Sequence, residues 1–179
     1  MIEILIYVAL AIAVCVGALV IYAARQPDTF RVARTANINA PAERIYPLIN
    51  ELRTMNTWNP FALSDPQMNG SYSGPASGVG AQFAFEGKKS GAGRIEITEA
   101  ISPSKVALRL AMWRPMKADN AIEFSLDPKG ASTDVTWAMT GQTPLTGKVL
   151  HLFMDVDKMC GGAFEEGLAK LKVIAEEGD

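Results

Sequence analysis

Reactive side chains are scarce in this chain: one histidine, His151, and two cysteines, Cys15 and Cys160. One imidazole excludes a multi-histidine metal site, and a Ser-His-Asp triad would depend on it entirely. Its neighbours Leu150, Leu152 and Phe153 place it on a helix or loop near an apolar interior, where a surface or capping role fits better than catalysis. Gly70-Ser71-Tyr72-Ser73-Gly74 imitates a nucleophile elbow, but its central residue is Tyr72. Gly91-Ala92-Gly93 lacks the third glycine and the strand-to-helix setting of a dinucleotide loop. Asp155 and Asp157 resemble the start of a calcium loop until Met159 and Cys160 break it. Arg109 could meet an anionic headgroup if it faced inward, yet alternation turns it towards water. No catalytic residue, metal or cofactor is expected.

Binding chemistry is better represented. Trp58, Phe61, Phe83, Phe85, Leu108, Leu110, Met112, Phe124, Trp137, Met139, Phe153, Met159 and Phe164 could line a space between a sheet and a helix. The plainer alternative is that they form the core. Methionine adapts its shape, which suits a variable apolar ligand. Gly161-Gly162, in a helical stretch, costs about 1 kcal/mol per glycine against alanine. Either close approach to a ligand, a hinge, or tight packing on the first helix of the domain would explain the pair.

The elements that must position these residues follow from periodicity. Phe30, Val32 and Ile38 are spaced by even numbers, as on a strand from 30 to 38. Asn39-Ala40-Pro41 then signals a helix start, with Glu43 in the first turn. Ile45, Leu48 and Ile49 repeat at helical spacing, and Pro47 keeps that helix short or kinks it. A second short helix runs from Leu52 to Trp58 and stops at Asn59-Pro60.

From Met68 to Gly141 the period becomes two, in runs such as Val106/Leu108/Leu110/Met112, Ile122/Phe124/Leu126 and Val135/Trp137/Met139. Gly, Pro and Ser clusters, the first at 70–80, separate the runs. Arg94, Glu96, Arg109, Glu123 and Asp134 fall between the apolar positions. The pattern predicts an antiparallel sheet of about six strands with one buried face. Beyond it, residues 156–175 form an amphipathic helix whose apolar arc gathers Met159, Cys160, Ala163, Phe164, Leu168, Leu171 and Ile174. The only large surface able to cover that arc is the sheet. The fold class is therefore α+β, a curved antiparallel sheet around a long C-terminal helix.

A separate element precedes this domain. Ile4 to Ala24 gives 21 consecutive uncharged residues, enough to span roughly 30 Å of hydrocarbon. Tyr7 and Tyr22 stand near its ends, at the headgroup level of a bilayer. A buried core helix is one alternative, though helices of so small a domain keep a polar face. A secretory signal is the other, since Tyr22-Ala23-Ala24 imitates a cleavage site, but the run is longer than the usual apolar stretch of about 7–15 residues and no base precedes it. The expected division is a transmembrane anchor at 1–25, a linker at 26–29 and a folded domain at 30–179. Arg25, Arg31 and Arg34 follow the span, which puts the domain on the cytoplasmic side of a cell membrane. Without Glu3 and Arg25, the 19 acids and 17 bases become 18 and 16, with no basic block. Nucleic acid is therefore not an expected partner. Cys15 lies in the span and Cys160 in the domain, so they are not expected to pair.

Three stretches resemble a known family: Ile38-Asn39-Ala40-Pro41-Ala42-Glu43-Arg44-Ile45-Tyr46, Trp58-Asn59-Pro60-Phe61 and Tyr72-Ser73-Gly74-Pro75-Ala76-Ser77-Gly78-Val79-Gly80. With the order of elements, they look like the START-like (SRPBCC, Bet v 1-like) superfamily, in its polyketide cyclase/dehydrase and lipid-transport branch. Met154-Asp155-Val156-Asp157-Lys158-Met159 and Phe164-Glu165-Glu166-Gly167-Leu168 fit the same branch. The resemblance covers about 30–175 and implies a helix-grip fold with an apolar cavity. The span lies outside the resemblance; together they give the expectation of a membrane-anchored binder or carrier of a lipid or polyketide-like ligand, with the bilayer itself as partner through residues 4–24. A cyclase or dehydratase using the same cavity, and a protein-interaction module, are the alternatives.

Overall fold

A computed structural model of the chain describes residues 2–152 and 155–177. Helix α1 (Ile2–Ala24) is long and apolar enough to cross a membrane. Of its described side chains, only Ala23 is buried. Strand β1 (Thr29–Ile38) begins after four further residues, so Thr29, expected in the linker, already belongs to the sheet.

Helix α2 (Ala42–Asn50) carries Pro47 in its interior and buries Ala42, Ile45, Tyr46 and Ile49 on one face. Helix α3 spans Leu52–Trp58. The single turn α4 (Pro60–Leu63) starts on Pro60, whose fixed φ suits a first turn. The Asn59 side chain caps it by accepting from the Phe61 N–H at 3.2 Å.

Six strands follow: β2 (Asn69–Ser73), β3 (Gln82–Glu86), β4 (Ala92–Ile101), β5 (Lys105–Arg114), β6 (Ala118–Lys129) and β7 (Ser132–Gln142). They form an antiparallel meander, and β1 closes it beside β7, giving the seven-stranded order β1-β7-β6-β5-β4-β3-β2. A short helix, α5 (Leu145–His151), leads to the long α6 (Val156–Glu176). The fold is α+β, a curved sheet with α2, α3 and α6 on its apolar face.

Two expectations need correction. The Gly/Ser stretch read as a turn contains β2, whose residues apart from Tyr72 have little strand propensity. Pairing overrides propensity: Tyr72 lies opposite Phe83 with ring centroids 4.6 Å apart, and a side chain at Gly70 would collide with the Phe83 ring. Helix α6 is also rolled relative to the expected arc. Phe164, Leu168, Leu171 and Ala175 are buried, while Met159 is 58% and Ile174 38% exposed. The roll follows from glycines that a hydrophobicity pattern scores as polar. Gly167 sits under Trp137 and Pro60, and Gly161 sits under Arg34 of β1, so the buried face is centred on them. Gly162 faces open space, so packing on the first helix of the domain does not explain the pair.

Candidate ligand-binding site

Antiparallel register puts directly paired residues on the same face, so the inward side can be read in rows across the sheet. The first row joins Val106, Phe124 and Trp137, and ends at Arg34. The next joins Ile97, Leu108, Ile122, Met139 and Val32. A third holds Tyr72, Phe83, Ile95, Leu110, Asn120, Gly141 and Phe30, and a fourth holds Gly70, Phe85, Gly93, Met112 and Ala118.

Burial falls along this series. Val106 and Phe124 are 0% exposed; Ile122 and Met139 are 5% and 7%. In the last two rows Phe83 and Ile95 stay buried, at 4% and 8%, while Leu110, Asn120, Phe30, Phe85 and Met112 are only partly buried. The grip is closed at its far end and loosens towards the edge where β1 begins. That edge is the one α1 leaves from. Gly93 keeps the fourth row open to large neighbours, because a Cβ there would stand 2.7 Å from Met112 Sδ and 2.8 Å from the Phe85 ring.

At the closed end, aromatic rings fill the space. Trp137 stacks on Phe164 of α6 at 4.3 Å and 10°. Trp58 meets Phe124 and Trp137 edge-on, at 5.9 and 5.8 Å, a favoured geometry for ring quadrupoles. The Trp58 indole donates to the Leu48 carbonyl at 2.9 Å. The Trp137 indole N–H, equally buried, has no acceptor among the described residues. A buried donor left unpaired costs about 1–3 kcal/mol, so this atom stands ready for an acceptor.

The expected lining residues therefore divide. Trp58, Phe124, Trp137 and Phe164 form the packed cluster, with Leu108, Met139 and Phe83 buried beside it. Phe85, Leu110 and Met112 border the loosened rows. Phe61 (45% exposed) covers the cluster from outside, with its ring 6.3 Å from those of Trp137 and Phe164. Met159 faces solvent, and Phe153 lies outside the described residues. His151 ends α5, and its side chain is not described. Arg109 points outward and pairs with Asp119, as alternation required.

Arg34 was missed, although it shares the even spacing of Phe30, Val32 and Ile38. Its guanidinium lies on the inward face and holds α6 against β1. Nη1 and Nη2 donate to both carboxylate oxygens of Asp157 at 3.0 and 2.8 Å, and Nε donates to Glu165 at 2.7 Å. These charge-assisted bonds push the Arg34 pKa up, and its bond to Asp157 holds that carboxyl below the usual range. Cys160 beside them is pushed up by burial and by Asp157. Asn120 was also missed; it places an amide on the inward face over Gly141, where a Cβ would overlap it.

Two clefts lie elsewhere, and none of the expected lining residues borders them. One of about 650 Å³ separates the β3–β4 turn from the β5–β6 turn. The other, about 250 Å³, lies between α3 and the β2–β3 connection. The β3–β4 turn is organised by Asp65, which accepts from the Lys89 and Ser90 N–H groups at 2.9 and 3.1 Å.

A curved sheet gripping one C-terminal helix defines the START-like (Bet v 1-like) class. Residues 29–176 match the family "Polyketide cyclase / dehydrase and lipid transport", and the chain belongs to it. Among solved structures, protein MLL2253 of Mesorhizobium loti is similar at 13% identity and TM-score 0.62, covering 84% of this chain and 99% of its own. The Aha1 dimer of Colwellia psychrerythraea is 21% identical with TM-score 0.56, covering 84% and 98%. Ginseng major latex-like protein 151 of Panax ginseng is 12% identical with TM-score 0.60, covering 83% and 99%. None of the curated proteins matches.

Proposed function

We propose that the chain is a membrane-anchored binder or carrier of an apolar ligand, a lipid or polyketide-like molecule taken up at the loosened end of the grip. The observation that carries this reading is the fall in burial along the inward rows towards the edge α1 leaves from. A ligand from the bilayer would enter there with its chain along Phe85, Leu110 and Met112. Its polar end would find the Asn120 amide.

α1 acts as the anchor in this reading. Its end is built into the domain, unlike a leader designed for removal. Ala23 is fully buried, and Lys148 of α5 donates to the Ala24 carbonyl at 3.3 Å and to Asp28 at 2.6 Å. The Thr143 N–H also donates to the Asp28 carbonyl at 2.7 Å. Cleavage after Ala24 would remove Ala23 from the domain and separate the Ala24 carbonyl from Lys148. Arg25 and Arg31, beyond the span, favour a cytoplasmic domain.

Mass spectrometry of lipid extracted from gently purified full-length protein tests the reading. About one apolar molecule per chain is expected, enriched over the bulk membrane. An extract matching bulk lipid composition in every preparation would defeat it.

A further inference from the structure

Charges on the domain are sorted by edge. Thr29, Gln142, Ala118, Arg114, Ala92 and Glu86 all end or begin strands at the edge where α1 departs. Arg25, Arg31, Lys88, Lys89 and Lys117 lie at or near that edge, are exposed, and form no salt bridge with any described residue. The acids there are already engaged: Asp28 with Lys148, Glu86 with Arg114, Asp119 with Arg109, and Asp65 with backbone N–H groups. At the opposite edge, Glu43 in the first turn of α2, Asp134 near the start of β7 and Glu177 just after α6 form no salt bridge with any described residue. The domain is therefore positive towards its anchor and negative away from it.

Apolar tips accompany the cations. The β4–β5 ladder slips between Ala92 and Gly93, so Trp113 is the extra residue of a bulge, a device that re-aims a side chain. It is 49% exposed, and Met116, in the turn between β5 and β6, is 59% exposed. A half-exposed tryptophan among lysines matches the chemistry of a headgroup layer. Lys88, Lys89 and Arg114 line the 650 Å³ cleft, which has room for a phosphate headgroup.

We infer that this edge, carrying Trp113, Met116, Lys88, Lys89 and Lys117, lies against the anionic surface of the same bilayer that α1 crosses. The inference rests on the reading of α1 as a span and adds a second contact that holds the open end of the grip to the lipid.

Trp113 reports on it directly, since Trp58 and Trp137 are at most 1% exposed. The full chain is placed in nanodiscs of phosphatidylcholine alone, or of an equal mixture with phosphatidylglycerol, each containing brominated acyl chains. The Trp113→Phe chain provides the background from the buried rings. Trp113 emission is expected to be quenched several-fold more in the anionic discs. That difference should vanish at 1 M salt, where the screening length is about 3 Å, and in the Lys88→Glu/Lys89→Glu/Lys117→Glu chain with an unchanged melting temperature. Equal quenching in both lipids, or none in either, overturns the inference while α1 stays inserted. A chain that never enters the discs defeats the span reading, and this one with it.

Discussion

The Arg34 guanidinium occupies the place where residue 161 would carry a side chain, so Gly161 is a glycine because of Arg34. A Cβ at 161 must displace a group held by three charge-assisted bonds. At Gly162, the next residue, a Cβ meets nothing within 4 Å.

The two glycines should therefore respond oppositely to alanine. Gly162→Ala gains helix propensity of up to about 1 kcal/mol, raising the melting temperature by about 2–4 °C. Gly161→Ala should lower it. In an Arg34→Ala background Gly161→Ala should become stabilising, because the obstacle is gone, and a double-mutant cycle measures that coupling. Equal effects at both positions would break the assignment.

Phe164 presses on Trp137 at 4.3 Å and is 1% exposed. Phe164→Ala should destabilise the domain by about 3–5 kcal/mol, read by urea denaturation. Met112→Ala, on the loosened row, should lose under about 1.5 kcal/mol. Similar losses at both sites would mean that the grip is closed throughout.

Lys148 ties the end of α1 to the domain. In Lys148→Met, trypsin should cut after Arg25 faster, while the melting temperature of the sheet domain changes little. Unaltered cleavage would show that the junction is held by other contacts.

Asp65 gives a pH dependence. Backbone N–H groups of Ser90 and Lys89 bind its carboxylate and lower its folded pKa. A lowered folded value adds stability that is fully present above the unfolded value, about 3.9. It is lost as pH falls through the folded value. Protection of the Lys89 and Ser90 amides, relative to their intrinsic exchange at each pH, should therefore fall only below about pH 4 in the native chain. Asp65→Asn should show faster exchange already at neutral pH, with no further acid step from this residue.

Much of the fold was legible because its signals are local. Alternation gave β4 to β7 their inward residues, and Leu52–Trp58 matched α3 from end to end. What was lost is information held between elements. β2 exists only because β3 pairs with it. The roll of α6 depends on Arg34 filling the space above Gly161, which no helical wheel contains. For the site, the list of apolar residues was blind to depth. Nothing in the spacing of Trp137 and Met112 says that one is sealed under Phe164 and the other half open. Arg34 was visible in the even spacing of β1, but a charge in an apolar row is read as outward until its partners, 123 and 131 residues away, are known.

The direction in which the grip opens is tested most directly by photocrosslinking. A lipid carrying a diazirine at its acyl terminus is incorporated into nanodiscs with the full chain, irradiated, and the adducts are mapped by peptide mass spectrometry. Adducts on Phe85, Leu110 and Met112, beside those on α1, are the predicted result. Labelling confined to α1, with the inward rows untouched, would contradict the account.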